Sequence, residues 1–400
     1  MVLIKDKDRN QIIGFLHNRI SKKTRKISHT NSKPIILSPT SKEVIQSLYD
    51  QIANVPVPKT PFTIEDIPSN APDTYIPKEI QQIIHEHPKI SKRAAFQIGE
   101  RQITVDCIIP LYKENRIFEN PQKANAFFET ALSKIHRWLS VAYTFAPDHC
   151  SKTLHIYFYM TLEPKELPTI QNTHITQTNA NTAFTTSCAP STEINIYRKE
   201  EWFKVLIHET FHSLGLDFSA MNTAKVDRTI CSAFHIRTDI RLYETFCEMW
   251  AEIIHLLFYL YVEKKVEPAK LIKEFSKCIQ YETLFSVFQS TKILHFFGIR
   301  YRDLFIDSAN TVAKYKASTS VFSYYVLKSI AMVYINDFIE WCHPNVLFFE
   351  KTEENMDSYA EFFVSHSQDA TYLNYVATAE RMNNKVPRFM KKTMRMTVYG

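Results

Sequence analysis

The sequence predicts an α+β fold in two lobes, on three observations. Segments that alternate apolar with polar residues, as strands do, fall before residue 217. Beyond that point apolar residues recur at helical spacing almost to the end. The bulk composition, 45% hydrophobic and 13% aromatic over 400 residues, suffices for a large core. The chain divides into an N-terminal extension (1–90), a strand-bearing upper lobe (91–217) and a helical lower lobe (218–400).

In order, Arg19, Lys22, Lys23, Arg25, Lys26 and Lys33 make residues 19–33 basic with no acid. Thr40-Ser-Lys-Glu43 has the form of a capping box and predicts a helix over Ser41–Ile52. Seven of the 18 prolines lie between Val55 and Pro88, which suits an extended linker or surface strap. A short helix is expected inside it at Lys78–His85. Phe96–Ile108 reads as two strands around a Gly99-Glu100 turn. Pro121–Phe145 is amphipathic, with Phe127, Leu132, Ile135 and Leu139 at helical spacing. Leu154–Met160, Thr182–Ser187 and Glu193–Tyr197 are the further strands. Arg198-Lys-Glu-Glu201 then puts two acids in the first turn of a helix, where the macrodipole favours them. After Gly215, helices are expected over 239–262, 268–279, 281–296 and 319–341.

Several function classes drop out. None of the five glycines sits in a G-x-G or P-loop pattern, which argues against nucleotide binding. The seven cysteines are scattered without a C-x-x-C pair, so neither a structural metal cluster nor a disulfide scaffold is expected. No signal peptide and no Asn-x-Ser/Thr acceptor is visible, and the chain reads as intracellular and cytoplasmic. Its longest apolar stretches, Ile253–Val262 and Val321–Ile335, are interrupted by His255 and Lys328, and no membrane span is expected. Residues 381–395 repeat the basic pattern through Arg381, Lys385, Arg388, Lys391, Lys392 and Arg395. Taking these twelve cations from 48 leaves 36 against 42 acids, so the net +6 comes from the ends. Such ends suit nucleic acid or an acidic partner; the plain alternative is a solvated tail.

The chemistry is concentrated in Val205-Leu-Ile-His-Glu-Thr-Phe-His-Ser-Leu-Gly-Leu-Asp217. On a helix His208 and His212 lie one turn apart on one face, where both imidazoles can bind one zinc ion. Glu209 projects about 100° round the helix, placed to reach a water on the metal but not to ligate it. Shuffling this composition gives roughly 0.04 such matches per chain. The competing explanation is a buried helix that carries two histidines by chance.

With this motif the chain resembles the zincin metallopeptidases over residues 90–255, which implies a twisted sheet above an active-site helix. Gly215 matches the start of the metzincin pattern, but Phe218 stands where that pattern needs a His or Asp. Leu242-Tyr-Glu-Thr-Phe-Cys-Glu-Met-Trp-Ala251 resembles the gluzincin helix that supplies the third ligand. By that match Glu244 is the ligand and Glu248 supports a ligand histidine from behind; Glu248 itself, His235 and Asp217 are the other candidates for the third ligand. Glu244, Glu248, Glu252 and His255 form one polar stripe on an apolar helix, either its solvated side or a face turned to the metal. The motif region is also similar to proteins of large DNA viruses, which implies an intracellular or virion-associated protein.

The resemblance implies a zinc-dependent peptidase with one Zn2+ per chain, His208, His212 and Glu244 as ligands and Glu209 as general base. It also implies that a peptide substrate adds as a strand to a sheet edge, and Ala183, Phe184 and Thr185 are the expected edge. Two other readings stay open: a catalytically silent zincin-fold structural protein, and a nucleic-acid-associated protein acting through its basic ends.

Overall fold

The computed structural model describes residues 7–23, 34–56, 58, 62–68, 75–112, 120–306, 308–383 and 386–400. Its strand-bearing part holds α1 (Lys7–Lys23), α2 (Pro39–Asn54), β1 (Ile64–Asp66), α3 (Lys78–Glu86), β2 (Lys89–Ile98), β3 (Arg101–Pro110), α4 (Pro121–Ala142), β4 (Thr153–Tyr159), α5 (Gln177–Ala180), β5 (Ala183–Thr185) and β6 (Ser191–Ile196). Helices follow: α6 (Trp202–Ser213), α7 (Ala224–Ala233), α8 (Leu242–Phe258), α9 (Leu271–Phe296), α10 (Asp303–Ile306), α11 (Ser308–Lys314), α12 (Lys328–Val333), α13 (Ile335–Cys342), α14 (Glu353–Ser367), α15 (Ala370–Met382) and α16 (Arg388–Lys392). The α+β class is as expected, with a single mixed sheet.

The sheet runs β1-β2-β3-β4-β6-β5. Gly99, at φ +59°, makes the tight turn between antiparallel β2 and β3. Strands β3, β4 and β6 are parallel, and β5 closes one edge antiparallel to β6. Ala94, Val105, Ile156 and Ile194 point from the sheet into a core they share with Trp138 and Leu139 of α4. That apolar core is continuous from Ile12 to Tyr399. Leu242–Glu263 is long and apolar enough to cross a membrane, but 89% of it is buried within the fold.

Several expectations need correction. The α2 cap is Ser38, whose Oγ accepts from Ser41 N (3.2 Å), with Pro39 opening the helix, so the helix starts before the capping box. The proline-rich stretch contributes β1, which pairs antiparallel with β2 at Ala94, Arg93 and Lys92. Helix α9 runs unbroken through residue 280, where a break between two helices was expected, and Gln280 is buried beside the Tyr375 hydroxyl. The region 319–341 is split into a π-helical turn (Phe322–Leu327), α12 and α13. A disulfide joins Cys150 to Cys188, two cysteines 38 residues apart that no spacing pattern linked.

The C-terminal stretch is not a solvated tail. Arg381, Arg388, Lys391 and Lys392 are exposed, but Arg395 and the chain from Thr393 to Tyr399 are buried. Glu282 of α9 accepts the backbone N–H groups of Val398 (2.8 Å) and Tyr399 (3.0 Å) and the Thr397 hydroxyl (2.6 Å). Lys385 and residues 24–33 lie outside the described residues.

Candidate metal centre

Helix α6 is buried on all sides from Phe203 to Ser213, held between β5 and β6 on one flank and α8 on the other. It begins one residue after the two expected first-turn acids. Glu201 sits before the helix at φ +59°, a conformation that costs a non-glycine residue unless its surroundings hold it. They do: its carboxylate pairs with buried Lys165 and accepts the N–H groups of Met396 (2.8 Å) and Thr397 (2.7 Å). Burial alone would raise its pKa, but Lys165 and Arg395 bring it down to about 2.

Helix α8 crosses α6 with its polar stripe inward. Glu244, Glu248, Glu252 and His255 are all buried, so the stripe is not a solvated side. His208 Nε2 lies 3.0 Å from Glu244 Oε2 and 3.2 Å from His212 Nε2, and His212 Nε2 lies 3.4 Å from the same carboxylate oxygen. A four-coordinate metal with bonds of about 2.0–2.1 Å separates its ligand atoms by about 3.3–3.4 Å. The triangle of two imidazole nitrogens and one carboxylate oxygen therefore fits one metal ion, and these three residues form a group able to hold one.

The opposite ring nitrogens are also engaged. His212 Nδ1 meets Asp217 Oδ2 at 2.5 Å, and Asp217 is itself fixed by Ser219, whose hydroxyl donates to Oδ1 (2.9 Å). His208 Nδ1 lies 3.0 Å from Glu248 Oε1, close in distance but bent away from ideal hydrogen-bond geometry. Such carboxylates fix the tautomer that turns Nε2 toward a metal. Glu248 also pairs with Lys204 of α6 and lies 3.5 Å from Lys328 of α12, which bonds Glu252 at 2.6 Å. Burial pushes Glu248 up, yet Lys204 and Lys328 hold it well below the usual carboxylate range. Glu244 is likewise raised by burial but lowered strongly by His212 and His208.

Asp217 thus stands behind a ligand, not in the triangle. His235 is exposed in a left-handed turn after α7 and belongs to none of the metal-capable groups among the described residues. Phe218 packs on Phe349 (4.1 Å between rings). A second trio, His212, Asp217 and Cys247, shares His212. Burial pushes the Cys247 thiol well up.

Glu209 is buried beside the histidines. Burial raises its pKa, and the two imidazoles oppose that rise. Tyr324, on the π-helical turn, and Tyr243 flank the site, their rings 6.1 and 5.8 Å from His208 and His212. The Tyr324 hydroxyl is pushed well up by burial and then by Glu244 and Glu209.

Strand β5 packs on α6 at the sheet edge. Tyr197 N donates to Thr182 O and Thr186 N to Glu193 O, so the even-numbered residues pair with β6. By the alternation of antiparallel strands, the backbone groups of Ala183 and Thr185 face away from β6. The side chain of Phe184 meets Tyr75 on the sheet's outer face (5.7 Å).

Sequence inspection gave no site role to Lys204, Lys328 or Tyr324. Lys204 and Lys328 each carry a signal, a cation in an otherwise apolar run. No family model, curated protein or solved structure matches the chain.

Proposed function

We propose that the chain is a zinc-dependent metallopeptidase of gluzincin type on a zincin-like fold. The observation that carries this reading is the convergence of His208 Nε2, His212 Nε2 and Glu244 Oε2 on one point within 3.0–3.4 Å of one another. Bound there, zinc supplies a Lewis acid that acidifies water and polarises a carbonyl.

The chain's own residues do the rest. Asp217 and Glu248 hold the imidazoles in the tautomer whose Nε2 faces inward. Glu209 takes the proton of the attacking water at its carboxylate, and its raised pKa brings it nearer the range suited to a general base. It then delivers that proton to the leaving amine. Tyr324 supplies an O–H donor beside the site for the carbonyl oxygen as charge develops there. The outward N–H and C=O groups of Ala183 and Thr185 bind the peptide as an added strand.

Glu209→Gln tests the reading, because it keeps the shape and removes the acceptor. Metal analysis should give the wild-type zinc content while peptide hydrolysis falls by orders of magnitude. Wild-type turnover in that variant, or a wild-type protein that takes up no zinc, would overturn it.

A further inference from the structure

A second cluster of metal-capable side chains lies outside this centre, at the disulfide. His149 Nε2 is 3.6 Å from Cys150 Sγ and 3.5 Å from Cys188 Sγ. A tetrahedral zinc with Zn–S bonds of about 2.3 Å and Zn–N bonds of about 2.0–2.1 Å sets its sulfur and nitrogen ligands about 3.5–3.6 Å apart. The imidazole is therefore already at ligand distance from both sulfurs, which on reduction need to separate to about 3.7–3.8 Å to share the metal.

We propose that Cys150, Cys188 and His149 form a redox-gated site for a thiophilic divalent metal such as zinc, with the fourth position left to solvent. A dithiol reductant gives two electrons and two protons to the disulfide, leaving two thiols and an oxidised reductant. Metal binding then forms two metal–thiolate bonds and releases the two thiol protons. A small-molecule disulfide reverses the exchange: it takes two electrons from the two thiolates and is reduced to thiols, the sulfur–sulfur bond re-forms, and the metal is expelled. His149 is exposed and can follow the ion, whereas Cys150 is buried. The site touches the motif helix: Cys188 N donates to His212 O (3.0 Å). Gly215 also lies so close that a Cβ there would come within 2.9 Å of Cys150 Sγ.

The test is metal uptake by the full chain before and after reduction, with cobalt(II) as a spectroscopic stand-in for zinc. Thiol counting should rise from the five free cysteines to all seven on reduction. The reduced chain should bind one more zinc than the oxidised chain, and cobalt should show a thiolate charge-transfer band. Cys188→Ser should lose the added metal and the band, and His149→Ala, which keeps both sulfurs, should weaken the site at least tenfold. Equal metal content in the two redox states, or a disulfide that cannot be reduced in the folded chain, would overturn the proposal. Because the readout is a difference between redox states, a failure at His208, His212 and Glu244 would show separately, as metal missing from both.

Discussion

Glu248 faces His208 with one oxygen and Lys204 and Lys328 with the other, all of them buried. Glu244, one turn earlier, faces the two imidazoles. The two acids should therefore fail differently. Glu244→Ala should lose most zinc, whereas Glu248→Ala should weaken zinc by about 10–100-fold. Glu248→Ala should also cost about 3–5 kcal/mol, since Lys204 is left buried without its acid. Zinc competition and urea unfolding check both; the opposite pattern would exchange the two roles. At Glu201 the prediction concerns acid. Its folded-state pKa of about 2 lies below the ordinary 4.5, so its stabilisation is full above about pH 4.5 and is lost as pH falls toward 2. Glu201→Gln should lower stability at neutral pH and flatten the decline across that window in pH-dependent unfolding; an unchanged acid limb would assign the decline to other groups. His208, His212 and Glu209 were legible because one helical turn fixes their spacing. Lys204 was not, because a lysine's burial depends on an acid 44 residues away.

The polar stripe of α8 shows what a single element conceals. Its period was plain, but a stripe of acids looks the same whether it faces water or a partner helix. Only the lysines on α6 and α12 decide that it is interior. Strand β5 was legible as extended chain, and its place at the edge depended on β6 pairing between it and β4. Register then gives the prediction at this scale. Because Thr185 N–H faces away from β6, Thr185→Pro removes an outward donor and keeps the backbone ladder, at the loss of the Thr185 hydroxyl bond to Glu193 O (2.6 Å). Peptide hydrolysis should fall, roughly by the 0.5–1.5 kcal/mol of one hydrogen bond, with zinc content unchanged and melting lowered only by the loss of that hydroxyl bond. Phe184→Pro instead removes an N–H that faces β6 and should lower the melting temperature. Wild-type kinetics in the folded Thr185 variant would rule this edge out.

Across the whole molecule, the least legible feature was the burial of residues 393–399. Composition marked the preceding stretch as basic, yet Arg395 ends inside, beside Glu200 (3.9 Å) and Asp8 (3.9 Å). Lys328 also donates to Met396 O (3.0 Å), so the ion pairs behind the metal site lean on this segment. Ending the chain at Thr393 should strip partners from Glu282, Glu201 and Lys328 together. We expect a loss of roughly 3 kcal/mol or more, read by thermal unfolding, and weaker zinc binding through Glu248. A truncated protein that melts and binds zinc as the full chain does would make the segment a mere covering. The separations involved carry a kinetic consequence. His208 and Glu244 are 36 residues apart, but Glu201 meets Met396 across 195 and Val398 meets Glu282 across 116. Loops of that length close late, after local contacts have formed. During refolding the two imidazoles can meet Glu244, and Lys204 can meet Glu248, while Glu201 and Lys328 still lack Met396. A chain in that state would capture metal early and become rigid only afterwards.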